Sequence, residues 1–115
     1  MAQAANQPHP GPTISTHILD TERGVPASGV HVTLFRILDD GRPMRLTQAL
    51  TDDDGRVRDL LERPLVTGDY RLEFKLGSGT FFERLSLDLH VADAGRSYHV
   101  PLLRSEYGLV VYRGS

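Results

Sequence analysis

From Thr13 onward, hydrophobic and polar residues alternate with a period of two, the pattern of strands whose successive side chains point to opposite sheet faces. Tyr70, Leu72, Phe74 and Leu76 face one way and Arg71, Glu73 and Lys75 the other, which predicts a half-buried strand with a solvated outer face. Leu85, Leu87, Leu89 and Val91 alternate in the same way with Ser86, Asp88 and His90, so His90 is read as a surface residue. Further strands are predicted at Ile14–Leu19, Val30–Leu38, Met44–Thr51, Arg56–Leu60, Tyr98–Leu103 and Leu109–Tyr112. Turn chemistry separates them at Asp39-Asp40-Gly41, Asp53-Asp54-Gly55, Thr67-Gly68-Asp69, Gly77-Ser78-Gly79 and Asp93-Ala94-Gly95. Many short strands at near-regular spacing predict an all-β antiparallel sandwich. No segment has a helical period, although Asp59-Leu60-Leu61-Glu62-Arg63 can hold a short turn before Pro64.

At 115 residues the chain is one domain, read as a disordered leader over 1–12 and a sandwich over 13–115. The leader is rich in Gln, Asn, Ala and Pro and has no signal-peptide pattern. His9, between two prolines, is read as part of that tail. A domain of this size buries about two thirds of its unfolded surface, too little for a deep enclosed site, so a small-molecule site is expected in a cleft shared between subunits. Thirteen Lys and Arg against 15 Asp and Glu, a net charge of −2, leave no basic stripe for nucleic acid. No apolar run approaches the roughly 18–20 residues of a membrane span. With no cysteine, thiol, disulfide, Cys-zinc and iron–sulfur chemistry are excluded, and a cytoplasmic location is the default expectation.

Two motif-like segments carry no site. Thr51-Asp52-Asp53-Asp54-Gly55 lacks the acidic first position and terminal Glu of a calcium loop. Gly77-Ser78-Gly79 opens no helix and is no phosphate cradle. The five histidines are more informative, because His17 and His99 both alternate out of the apolar face of their strands.

The segments His17-Ile18-Leu19-Asp20, Gly55-Arg56-Val57, Gly68-Asp69-Tyr70-Arg71, Tyr98-His99-Val100-Pro101-Leu102-Leu103 and Tyr112-Arg113-Gly114-Ser115 resemble the 5-hydroxyisourate hydrolases, the transthyretin-related proteins of urate catabolism. The terminal tetrapeptide is the specific signal, since transthyretin lacks it. The resemblance implies a transthyretin-like β-sandwich and a tetramer with sites in a channel at the dimer–dimer interface. It also implies hydrolytic ring opening without metal or organic cofactor.

It carries the catalytic positions to His17, Arg56, His99 and Ser115, with Tyr112, Arg113 and Gly114 binding substrate. Histidine, with an ordinary pKa of about 6.5, suits activation of a water near neutral pH. Arginine's fixed donor fork suits an oxyanion at the attacked carbonyl. Ser115, through its hydroxyl or α-carboxylate, would close the site. Either histidine can be the base at this stage.

Three departures mark a divergent member. Ser97 stands where the family has a histidine, and Leu109-Val110-Val111 stands where it has Tyr-Ser-Thr. The connection from Lys75 to Phe81 is too short for the family's helix. Two alternatives stay open: a non-enzymatic ligand-binding module of the transthyretin kind, and a paralogue acting on another cyclic amide.

Overall fold

A computed structural model describes residues 9–115. The strands, in chain order, are β1 (Ile14–Asp20), β2 (Val25–Pro26), β3 (His31–Ile37), β4 (Pro43–Leu50), β5 (Arg56–Val57), β6 (Gly68–Lys75), β7 (Arg84–Val91), β8 (Tyr98–Arg104) and β9 (Leu109–Val111). One sheet runs β2-β1-β8-β9 with β5 also paired to β1, and the other runs β4-β3-β6-β7. The alternation read from the sequence is the alternation of burial. Tyr70, Leu72 and Phe74 of β6 are buried against Val32 and Leu34 of β3, and they meet Ile14, Ile18 and Leu102 from the opposite sheet. Each such side chain contributes about 1.5–3 kcal/mol by leaving water. His90 is exposed on the outer face of β7, where Nδ1 lies 2.8 Å from Asp69 Oδ1, as expected. Among the described residues there is no helix, and β6 passes to β7 through a loop over 76–83, closed at its base by Leu76 N donating to Glu83 O at 2.9 Å.

The expected β-sandwich is present; one of its features is refined and two further expectations are corrected. The sandwich is not wholly antiparallel, because β1 and β8 run parallel in the register Ser15↔His99 and His17↔Pro101. Hairpins set direction only between strands joined by tight turns, and the whole second sheet separates these two along the chain. The strand expected over Arg56–Leu60 stops at Val57. There the Asp59 carboxylate accepts from the amides of Leu61 and Glu62, each at 3.0 Å, and bends the chain into the turn before Pro64, with Glu62 at φ +57°.

The second correction concerns His9. Positions 1–8 lie outside the described residues, but His9 is no loose tail. Its amide donates to Asp59 Oδ2 at 2.9 Å, and its ring Nδ1 lies 2.6 Å from the same oxygen.

Candidate active site

The alternation that buries Ile14, Thr16 and Ile18 turns Ser15 and His17 to the outer face of the five-stranded sheet. The core side is locked to β8 by Thr16 Oγ1 donating to the Val100 carbonyl at 2.7 Å. The parallel register then sets His99 directly beside Ser15, whose Oγ lies 2.8 Å from His99 Nδ1. On the other flank of β1, the antiparallel pairing with β5 puts Arg56 opposite His17. With strands about 4.8 Å apart and a two-residue offset, the backbones of His17 and His99 are roughly 8 Å apart on one face.

Arg56 is delivered by a turn that only glycine can make. Gly55 has φ +77°, and a Cβ there would stand 2.4 Å from the carbonyl oxygen of Ile18. That carbonyl lies on β1 itself, so the close approach that requires glycine is also what presses the Arg56 strand against His17. Asp52 Oδ1 accepts from Arg56 N at 3.0 Å and fixes the turn. Burial, then the positive charge of Arg56, then His17 hold the His99 imidazole below its ordinary pKa, so at neutral pH this ring is neutral and able to accept a proton.

The segment after β9 folds back along β8. Gly114 N donates to the His99 carbonyl at 2.7 Å, and a Cβ on Gly114 would stand 2.8 Å from His99 Cδ2. Glycine at this position therefore lets the chain lie flat against the imidazole. Ser115 follows, exposed, its carbonyl oxygen accepting from Arg113 Nε at 3.4 Å. Tyr112 and Arg113 turn elsewhere. They line an apolar groove of about 440 Å³ between β7 and β9, with Arg113 5.0 Å from the Tyr98 ring centre.

A single chain thus brings His17, Arg56, His99 and Gly114 to one face, while Tyr112 and Arg113 serve the neighbouring groove. Two residues at the site were not singled out from the sequence. Ser15 holds His99, and Arg58 lines the same depression of about 220 Å³ with Ser15, Thr16, Arg56, Val57 and His99. The signal for Ser15 was its two-residue spacing from His17. Arg58 shows the same spacing from Arg56.

The family model described as HIUase/Transthyretin family matches residues 14–114. The 5-hydroxyisourate hydrolase of Salmonella typhimurium is 42% identical, the match covering 89% of this chain and 80% of that protein. Among solved structures, the 5-hydroxyisourate hydrolase of Klebsiella pneumoniae superimposes with a TM-score of 0.77 at 34% identity, over 90% of this chain and 99% of the other. Sea bream transthyretin in complex with thyroxine superimposes with a TM-score of 0.79 at 26% identity, over 87% and 92%.

Proposed function

The chain belongs to the HIUase/transthyretin family, and from that premise we propose that it is an enzyme of urate catabolism that opens the ring of 5-hydroxyisourate by hydrolysis. The backbone does not separate hydrolase from carrier, since the TM-scores to both are nearly equal. What carries the reading is the face on which two imidazoles and a guanidinium meet, with a neutral His99 held by Ser15.

In this reading His99 is the base. With Nδ1–H donated to Ser15 Oγ, its Nε2 takes a proton from water. The water oxygen bonds to a ring carbonyl carbon, and the Arg56 guanidinium stabilises the resulting oxyanion. The ring C–N bond then breaks, and the imidazolium returns its proton to the departing nitrogen. His17 orients the water, and Ser115 with Gly114 closes the site beside the imidazole. The chemistry uses no metal or organic cofactor.

Completion of the site falls to further copies of the chain. The depression of about 220 Å³ is smaller than the roughly 300–1,000 Å³ of ordinary ligand sites. β7 and β9 are edge strands, with their backbone groups open to pairing. A tetramer with sites at the dimer–dimer interface meets both needs, and would bring Tyr112 and Arg113 toward the substrate from their groove. Among the described residues no helix is long and apolar enough to cross a membrane, and the reading assigns the enzyme to the cytoplasm.

The test is spectrophotometric. Purified protein should accelerate the loss of ultraviolet absorbance of freshly generated 5-hydroxyisourate, and His99→Ala should remove the acceleration while the far-ultraviolet dichroism stays that of a β-sandwich. A folded parent protein with no rate above buffer would overturn the reading in favour of a ligand-binding module or another cyclic amide.

A further inference from the structure

A second concavity lies away from the His99 face, at the end of the sandwich where Gly77, Ser78 and Glu83 of the β6–β7 connection form part of its wall. It has a volume of about 1110 Å³, and Arg23, His31, Lys75, Arg84 and Arg104 stand around it with a single carboxylate, Glu83. Glu83 is already engaged, accepting from Gly79 N at 2.9 Å. Elsewhere in the chain Arg42 and Arg71 pair with aspartates at 2.6 and 2.8 Å. Among the described residues no ion pair engages the cations of the cleft. Four full positive charges against one carboxylate thus gather at one end of a chain whose net charge is −2.

Their placement is not that of scattered solvated charges. His31 pairs in register with Lys75, and Lys75 with Arg84, so three basic residues form one row across β3, β6 and β7, on strands whose backbones lie about 4.8 Å apart. Like charges directly opposite each other destabilise a sheet. Lys75 and Arg84, directly opposed beside a cleft whose one carboxylate is Glu83, are stabilised by an anion that bridges them. Arg104 closes the far side, held by one donation from Nη1 to the Leu76 carbonyl at 3.0 Å, with its remaining guanidinium hydrogens left for a ligand. Arginine forks favour oxyanions with two or more acceptor atoms in a plane.

We propose that this cleft binds a small polyanion carrying at least two phosphoryl or carboxylate groups, bridged by Lys75 and Arg84 and capped by Arg104. The site is separate from the catalytic face and does not depend on the hydrolase reading.

Calorimetric titration of the full chain with pyrophosphate and, separately, with citrate tests it and distinguishes the two headgroups. The expected result is saturable binding of one anion per chain, weakened at least tenfold when salt is raised from about 20 to about 200 mM. Lys75→Glu should weaken it at least tenfold, whereas Arg42→Glu, an equal charge change outside the cleft, should leave it intact. Lys75→Glu should also raise the ligand-free thermal midpoint by about 1–4 °C, because it replaces repulsion by attraction within the row. Hydrolysis of 5-hydroxyisourate should be unchanged in both variants. No saturable binding of either anion, binding equal in parent and Lys75→Glu, or equal losses in Lys75→Glu and Arg42→Glu would each overturn the proposal. So would tighter binding of a polyglutamate peptide than of either small anion, which would assign the row to a protein partner.

Discussion

Asp59 is a carboxylate with no exposed surface, directly preceding the core residues Leu60 and Leu61. Desolvation opposes its charge, but donors from three directions outweigh that cost. These are the amides of His9, Leu61 and Glu62, the His9 ring, and the Thr13 hydroxyl in a short contact with Oδ1. Together they hold its pKa well below the ordinary carboxylate range. Asp59→Asn keeps the shape but turns one acceptor into an NH₂ that faces donors, and Asp59→Ala leaves all of them unmatched. Hydrogen bonds to a charged group are worth about 1.5–3 kcal/mol each. Removing one member of such a buried set costs about 3–5 kcal/mol once the relief of desolvation is included. At about 2.1 cal/mol/K per residue the unfolding entropy of this chain makes each kcal/mol worth about 4 °C, so the midpoint should fall by about 12–20 °C.

Urea unfolding followed by circular dichroism, at one fixed protein concentration, measures the loss. Because the folded pKa is depressed, Asp59 contributes its stability in full above the unfolded value of about 3.9 and loses it as pH falls through the folded value. The difference between parent and Asp59→Asn should therefore be constant from about pH 5 to 8 and shrink only in stronger acid. A variant within about 1 kcal/mol of the parent at pH 7, or a difference that widens as acid is added, would refute the reasoning.

Gly55→Ala forces a methyl group against the Ile18 carbonyl at 2.4 Å in a left-handed backbone; a loss of about 2–4 kcal/mol in urea unfolding is expected, with lower kcat as Arg56 shifts from His17. Ser15→Ala removes the partner of His99 Nδ1; kcat should fall about fivefold, the equivalent of one net hydrogen bond, with its acid limb displaced and Ser15→Thr restoring both. Proton NMR should titrate His99 with a midpoint below 6.5, since burial, Arg56 and His17 all disfavour its charged form. The midpoint should rise in Arg56→Gln, and the acid limb of kcat/KM in the parent should coincide with the parent value.

The parts of this molecule legible from sequence are those decided by neighbours in the chain. Alternation alone placed Tyr70, Leu72 and Phe74 in the core and sent His17 and His99 outward, because a strand's period of two is local geometry. Which outward residues meet is decided by register between strands. Ser15 lies beside His99 only because β1 and β8 run parallel in one particular alignment, and no turn between them announces it. Asp59 was illegible for a related reason. In a segment that reads as a turn, an aspartate is ordinarily solvated, whereas here its donors include His9, fifty positions away. The row of His31, Lys75 and Arg84 is a third case: each residue is an ordinary polar position in its own strand, and the repulsion between Lys75 and Arg84 exists only across the sheet. Local pattern therefore yields the faces of each strand, and the chemistry on those faces follows from non-local pairing. The candidate face could be anticipated only where short motifs such as Gly55-Arg56-Val57 carry the pairing implicitly. There, the glycine that Ile18 requires and the arginine that His17 meets are consecutive in the chain.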